Sequence, residues 1–141
     1  MAYLSGLVYT QTLILLALES DNYGSDAASK RDRCLARAVA QAFEMNLHRS
    51  QDIEWSREGG PDDDGKIDRR VFVVLAVLDR WWASSRAKPV RISQEDAVLL
   101  PEDRVVLGES VYNLARKSFS IPARCRPDVG LILRRPLTHN R

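Results

Sequence analysis

Residues 66–86 read KIDRRVFVVLAVLDRWWASSR, and this stretch decides the fold. Its middle, Val71 to Leu78, is apolar without interruption, so composition alone would allow either a buried strand or a buried helix. Helical spacing continues on both sides of the middle and favours a helix over 66–86. The positions that carry this spacing are Ile67, Val71, Val74, Leu75, Leu78, Trp82 and Ser85. A helix that is apolar almost all round is expected at the centre of a bundle, covered by other helices.

Two helices are expected before the central one. The first, Leu4 to Ser20, is expected to be buried and repeats apolar residues at three- and four-residue intervals: Leu4, Leu7, Val8, Leu15 and Leu18. The second runs to about Leu47, and either Ser25 or Asp26 can cap its first turn. Its two faces separate into an apolar stripe of Leu35, Val39, Ala42, Phe43 and Leu47 and a polar stripe of Lys30, Arg33, Arg37, Gln41 and Glu44. Many alanines keep this helix thin, so a neighbouring helix is expected to pack closely against it.

Three further segments complete the organisation. Residues 48–65 are polar and rich in Gly and Asp, which predicts a mobile surface loop before the central helix. Pro89 ends that helix, and we expect an extended segment over 88–101, termed the strap, held by Ile92, Val98, Leu99 and Leu100. A last helix is expected from Pro101 or Glu102 to Phe119, with these positions available for packing: Val105, Val106, Gly108, Val111, Tyr112 and Ala115. Residues 120–141 are basic and contain three prolines, which predicts a poorly ordered tail.

The fold class predicted from these elements is all-α. It is an irregular bundle of about four helices with a buried central helix over 66–86 and the extended strap. The chain has 141 residues and a formal charge of only +2, which suits one soluble domain and argues against a strongly basic nucleic-acid binder. The first 18 residues carry no charge, but within them no Lys or Arg flanks the apolar stretch and Thr10, Gln11 and Thr12 interrupt it, so a buried helix is favoured over a signal peptide or a membrane anchor.

The sequence offers no recognisable set of catalytic residues, so an enzyme is not expected. His48 is placed at the end of the second helix, where an imidazole interacts favourably with free carbonyls, and His139 lies in the tail. Gly108-Glu109-Ser110 lacks the second glycine of an esterase elbow. Residues 60–71 do not supply the ligands of a calcium loop, and Gly59-Gly60 is followed by acids that would repel phosphate.

Asp79 is the polar residue that stands out, because it follows a long apolar run. A buried carboxylate must be paired or hydrogen-bonded, and a structural ion pair is a more frequent reason for such a residue than a ligand contact. The adjacent Trp81 and Trp82 are expected to divide, one indole facing the core and the other free to line a groove.

Three segments in order resemble the fungal-specific transcription factor domain, which is the middle homology region of fungal binuclear zinc-cluster transcription factors. The first ends in Leu47-His48-Arg49. The second comprises Arg69-Arg70 and Leu78-Asp79-Arg80, and the third comprises the strap with Lys88-Pro89 and Leu100-Pro101. The resemblance covers about residues 4–117. It identifies a candidate structural or regulatory signature made up of Arg69, Arg70, Asp79, Arg80, Trp82, Lys88 and Pro89.

This sequence also departs from the family pattern. The family's Gly-Arg-Pro is Ala87-Lys88-Pro89 here, and Val71-Phe72 stands about where the family has its paired tryptophans, with Trp81 and Trp82 lying later. Cys34 and Cys125 cannot supply the six-cysteine zinc cluster with which the family binds DNA, so no cofactor is expected in this chain. The family domain is longer than this chain, which is therefore expected to be a fragment. Residues 1–119 are expected to form part of the regulatory domain, followed by the tail.

The resemblance implies a regulatory domain in the nucleus that controls RNA polymerase II transcription without contacting DNA itself. Its helical core would hold alternative packings, and a small-molecule inducer or a protein partner would favour one of them. DNA would be reached only through a zinc-cluster module that this chain does not contain. Two alternatives remain open: a helical interaction or dimerisation module without a ligand, and a small protein anchored in a membrane by residues 1–18. Protein partners or self-association are expected in preference to a membrane.

Overall fold

The computed structural model describes residues 2–20, 22, 24–52 and 64–120. Within these residues the chain is helical with no strand, so the predicted all-α class is confirmed. The α-helices are α1 (Ala2–Ser20), α2 (Ser25–Glu44), α3 (Asp64–Arg86), α4 (Asp103–Leu107) and α5 (Glu109–Ser120). A 3₁₀ helix, Leu47–Asp52, follows α2.

The central helix is α3, as its apolar run predicts. All the residues from Val71 to Leu78 are buried except Val74, and each of the other helical elements packs against α3. Val74 and Ser85 are exposed, so the prediction that these two positions of the apolar spacing pack in the core was wrong. The cause lies in the composition, since a run of eight apolar residues does not itself reveal which side meets solvent.

Helices α1 and α2 form an antiparallel pair, but α1 packs through a different face from the one predicted. Of the predicted stripe only Leu7 is buried, while Leu4, Val8, Leu15 and Leu18 are 43–66% exposed. The packed face combines larger apolar residues with small ones that allow close approach: Leu7, Thr10, Leu13, Ile14, Ala17 and Ser20. The expectation of a wholly buried first helix was therefore wrong, because α1 is covered on one side.

The close approach of α1 and α2 depends on small residues. Ala38 and Ala42 of α2 are fully buried, and a Cβ placed on Gly6 of α1 would lie 2.9 Å from Sδ of Met45. By length and composition, α1 is also apolar enough to cross a membrane, a test that core helices of soluble proteins and signal sequences pass as well.

The ends of α2 differ from the predicted ones. Gly24, rather than Ser25 or Asp26, occupies the N-cap position, and no side chain caps the first turn. The helix stops at Glu44 because Asn46 adopts a left-handed conformation with φ 57°, a conformation that asparagine tolerates. His48 consequently lies in the 3₁₀ helix and not at the end of α2, and its ring stacks against Phe43 at 4.7 Å.

The predicted last helix is two helices. Gly108, with φ 80° and ψ 157°, separates α4 from α5 in a conformation that is almost confined to glycine. The break changes which residues can pack. Val106, Tyr112 and Ala115 are buried as expected, whereas Val105 is 87% exposed and Val111 is 38% exposed, contrary to expectation.

The strap lies between α3 and α4 and contains no helix, as predicted. Ile92 and Ala97 are its buried residues, Leu99 and Leu100 are half-buried, and Val98 is exposed, contrary to expectation. A turn at 94–96 is closed by the Ala97 N–H, which donates to the carbonyl of Ser93 at 3.1 Å. Of the predicted polar loop over 48–65, residues 48–52 are helical, residues 64 and 65 begin α3, and 53–63 lie outside the described residues. Of the predicted tail over 120–141, Ser120 ends α5 and 121–141 lie outside the described residues.

Candidate functional site

The most buried polar contact in the described part of the chain joins Arg69 of α3 to Asp103, the first residue of α4. Arg69 Nε donates to Asp103 Oδ1 at 2.7 Å and Nη2 donates to Oδ2 at 2.5 Å, and both side chains are fully buried. Nη2 also donates to the carbonyl of Val98 at 2.6 Å, and the Leu100 N–H donates to Asp103 Oδ2 at 2.7 Å. This bidentate pair fastens the end of the strap and the start of α4 to α3.

The sequence did not predict a role for Asp103. Its position two residues after Pro101, in the first turn of a short helix, is a weak signal that many exposed acids share. Arg69 was singled out through the family resemblance, but its partner is 34 residues further along the chain. The pairing follows from the folded path of the strap.

Asp79 fastens the start of the strap. Its Oδ2 accepts hydrogen bonds from the backbone N–H groups of Arg91 at 2.7 Å and Ile92 at 2.9 Å, and the side chain is fully buried. Nη1 of Arg91 lies 3.7 Å from Oδ1. The expected ion pair is therefore present only at long distance, and the two backbone donors provide the close contacts. Their presence explains how a carboxylate can sit inside an apolar helix.

Arg80 joins the strap to α5. Its Nη2 donates to Oε1 of Gln94 at 2.9 Å, and its guanidinium carbon lies 4.9 Å from the centre of the Phe119 ring. Gln94 Nε2 donates in turn to the carbonyl of Phe119 at 3.2 Å. Burial lowers the pKa of Arg80, and the nearby charge of Asp79 partly opposes this change. Within the described residues, Nε and Nη1 of this buried side chain have no hydrogen-bond partner.

The remaining signature residues lie around this cluster. Arg70 is exposed but its Nε donates to the carbonyl of Val106 in α4 at 2.7 Å. Trp82 is buried beneath the guanidinium of Arg31 of α2, with 4.9 Å between the guanidinium carbon and the ring centre, whereas Trp81 is 46% exposed. One indole therefore faces the core, as expected, and the other is exposed to solvent.

Lys88 and Pro89 stand where the chain leaves α3, and Lys88 binds α2. Its Nζ lies 2.9 Å from Oδ2 of Asp32, and Nη1 of Arg86 lies 3.6 Å from the same oxygen. Burial alone would raise the pKa of Asp32, but the hydrogen bond and charge of Lys88, with smaller contributions from Arg86 and Arg91, lower it. Pro89 is exposed.

Replacing Lys88 with Met is expected to raise the pKa of Asp32 towards its ordinary value of 3.8. A carboxyl group with a lowered pKa stabilises the fold above its ordinary pKa, and that stabilisation is lost as the pH falls through the lowered value. The stability difference between the wild type and this variant should therefore be present at neutral pH and disappear in acid. Carboxyl ¹³C NMR against pH measures the shift directly. Lys117→Met, at an exposed site in α5, should leave Asp32 unchanged, and an unaltered Asp32 titration in Lys88→Met would contradict this assignment.

Ala87 occupies the position where the resembling family has glycine, and its backbone shows the consequence. Its φ is +52°, and the Lys88 N–H donates to the carbonyl of Ala83 at 2.9 Å to close the end of α3. A left-handed residue at a helix C-terminus is favourable for glycine and strained for alanine. The departure from the family pattern therefore lies at a place where it weakens the fold.

Ala87→Gly is expected to raise the free energy of unfolding by about 0.5–1 kcal/mol, since relief of the left-handed strain exceeds the extra chain entropy of glycine. Urea denaturation followed by circular dichroism measures the change. Ala36→Gly, at an exposed position inside α2, should change stability in the opposite direction. A loss of stability in Ala87→Gly would show that the backbone at this position is unstrained.

The signature residues do not converge on one reactive centre. Arg69, Arg70, Asp79 and Arg80 lie along α3 and hold the strap, α4 and α5, whereas Trp82 and Lys88 contact α2. A recess of about 390 Å³ opens between the strap and α5, lined in part by Gln94, Leu99 and Tyr112. In the described ranges no group of three or more His, Cys, Asp or Glu residues is arranged to hold a metal ion.

The sequence of this chain is similar to that of one named class of protein. No family model matches the chain, and no solved structure matches it. It is 31% identical over 121 residues to a Schizosaccharomyces pombe protein named "uncharacterized transcriptional regulatory protein". The match takes in 82% of this chain and spans 14% of the length of that relative. The similarity supports a transcription-regulator family for this chain.

Proposed function

We propose that this chain is a regulatory domain of a nuclear transcription factor of the fungal zinc-cluster type, and that it acts without touching DNA. The resemblance of its three segments supports the zinc-cluster type, and the similarity to a transcriptional regulatory protein supports the wider class. DNA contact would belong to a separate zinc-cluster module. The chain itself needs no cofactor and performs no catalysis under this proposal.

The observation that carries the proposal is the way α3 holds the strap. Asp79, Arg80 and Arg69 fasten it at its start, middle and end through buried polar contacts. A buried polar network rigidifies a core when it is complete, but Nη1 of Arg69 and Nε and Nη1 of Arg80 have no hydrogen-bond partner within the described residues. An arrangement of the strap, α4 and α5 that satisfied these atoms would compete with the present one. A protein partner or small-molecule inducer that prefers one arrangement would shift the population between them. The recess between the strap and α5 lies where such a ligand would act.

A reporter assay in fungal cells tests this function. The complete chain is fused between a heterologous DNA-binding domain and an activation segment, and transcription is compared with a fusion that lacks the chain. We expect the chain to change the reporter output. We expect Gln94→Ala, which removes the hydrogen-bonded bridge from Arg80 to the Phe119 carbonyl but leaves Arg80 over the Phe119 ring, to shift that output several-fold while the protein stays folded. Glu95→Ala, an exposed neighbour in the strap, is the matched control and should behave as the wild type. An output that the chain leaves unchanged would overturn the proposal.

The outer face of α1 favours a second candidate function, self-association without a ligand. Leu4, Val8, Leu15 and Leu18 are exposed there and follow the alternating four- and three-residue spacing of a helix–helix seam, with Gln11 at the intervening position. Analytical ultracentrifugation of the wild type and of Leu15→Glu tests it, and a dimer that Leu15→Glu dissociates would support this candidate.

Retention of the chain in membrane pellets after alkaline carbonate extraction would instead favour a membrane anchor over both the regulatory domain and self-association.

A further inference from the structure

A groove between α1 and α2 has one apolar wall and one basic wall. Its volume is about 740 Å³. Tyr9, Leu13 and Leu16 of α1 line the apolar side, and Lys30, Arg33 and Arg37 of α2 line the basic side. The three cations are exposed, and they follow one another at three- and four-residue intervals on one face of α2. Seven residues of helix cover roughly 10 Å, so the row extends over about two turns.

The cations of this groove have no charged partner within the residues that the structure describes. No residue in the described part of the chain forms an ion pair or a hydrogen bond with Lys30, Arg33 or Arg37. Some other exposed cations are paired, since Lys88 and Arg86 share Asp32 and Arg104 lies 3.3 Å from Glu109. Arg49, Arg116 and Lys117 are exposed cations that also lack a partner among the described residues, so the groove differs in placing three such cations in one row beside an apolar wall. A row of like charges on one helix face repels itself. An acidic partner would relieve that repulsion.

We propose that this groove binds an acidic amphipathic helix of a partner protein. The apolar side chains of the partner would lie against Tyr9 and Leu16, and its carboxylates, spaced one turn apart, would face Arg33 and Arg37. Both walls are needed for this mode of binding, in which an amphipathic helix lays its apolar face into a groove. The surface is separate from the contacts that hold the strap, so the proposal does not depend on the function proposed above.

Two other anionic partners fit the groove less well. A nucleic-acid backbone would use the cations but would gain nothing from the apolar wall, and the net charge of +2 gives little general attraction. A membrane surface is flat, whereas the apolar residues Leu13 and Leu16 lie within a concave groove and are less exposed than the cations beside them. The charge and the concave shape of the groove therefore favour an acidic protein helix over a nucleic acid or a membrane as its partner.

The probes for the test are synthetic helical peptides with leucines on one face and glutamates along one edge. The panel varies the angle between leucines and glutamates, and each peptide has a twin in which glutamine replaces glutamate. Fluorescence anisotropy measures binding to the complete chain at low and high salt. We expect at least one acidic peptide to bind more tightly than its neutral twin, and we expect salt to weaken it. If no peptide binds, or if the twins bind equally, the proposal is overturned.

Variants locate the binding surface. Arg33→Glu combined with Arg37→Glu should weaken binding by about tenfold or more, as reversal of charges at an interface does. Arg49→Glu combined with Lys117→Glu changes the net charge equally at exposed sites outside the groove and should leave binding unchanged. Lys30 is left intact because it also borders a recess that contains Glu19 and Asp26. Equal losses in the two double variants would overturn the proposal, because they would show a general charge effect.

A second variant and its control test the apolar wall of the groove. Tyr9→Ala should weaken peptide binding, whereas Leu15→Ala, an exposed apolar residue on another side of α1, should not. Amide shift mapping by ¹H–¹⁵N NMR on the unaltered chain gives an answer that is independent of variant stability, and the shifts should centre on residues 9–16 and 30–37. Shifts centred elsewhere, or tighter binding of duplex DNA or phosphatidylserine vesicles through Arg33 and Arg37, would overturn the assignment.

Discussion

Replacing Asp103 with alanine is expected to lower the free energy of unfolding by about 3–5 kcal/mol, because the variant leaves the Arg69 guanidinium buried without its counter-ion. The Leu100 N–H would lose its acceptor at the same time. Urea or guanidinium denaturation followed by circular dichroism measures the loss. This is the largest effect that we expect from any single substitution in the described part of the chain.

Two comparisons show whether the loss comes from the broken pair. Glu102→Ala changes the adjacent exposed acid and should alter stability little. Arg69→Met combined with Asp103→Leu removes both charges and should recover much of what Asp103→Ala loses, because the cost of a buried unpaired charge then disappears. If Asp103→Ala and Glu102→Ala have the same small effect, the Arg69–Asp103 pair is not buried in solution.

Replacing Asp79 with asparagine should have the second largest effect, a loss of about 2–3 kcal/mol. The side chain keeps its shape and one acceptor oxygen, but it loses the charge that strengthens the bonds from the Arg91 and Ile92 N–H groups. The start of the strap should therefore loosen before the helices do. Native-state hydrogen exchange should report faster exchange at Ile92, together with the fall in global stability.

The control for Asp79→Asn is Glu95→Gln, which removes one negative charge from an exposed residue of the strap. It should leave both the stability and the exchange at Ile92 unchanged. If the Ile92 amide remains as protected in Asp79→Asn as in the wild type, then the carboxylate does not hold the strap.

The sequence predicted well those features that depend on neighbouring residues. The long apolar run of α3 predicted a central helix, and the lone carboxylate of Asp79 within it predicted a buried polar contact. The alternation of apolar and charged residues in α2 also predicted its buried face, because Leu35, Val39 and Ala42 are all buried.

Features that depend on distant contacts could not be predicted. In α1 nearly every side is apolar, so periodicity could not select the face, which is decided by how closely Gly6 and the alanines of α2 allow the helices to approach. Nor could the sequence choose Asp103 among many acids as the partner of Arg69. Gly108 was visible but was interpreted as a packing residue, and only its backbone conformation reveals the break between α4 and α5.

Arg69 and Asp79 are ten positions apart on α3, a separation of about 15 Å along the helix axis. The chain from Ile92 to Asp103 runs between these two points and is far longer than that distance requires, the excess being taken up at the bend around residues 94–96. An insertion of a residue or two directly after Gln94 should therefore be tolerated at that bend, since Gln94 and both ends of the segment would keep their attachments. The same change between Lys88 and Arg91 would leave Asp79 facing the wrong amides.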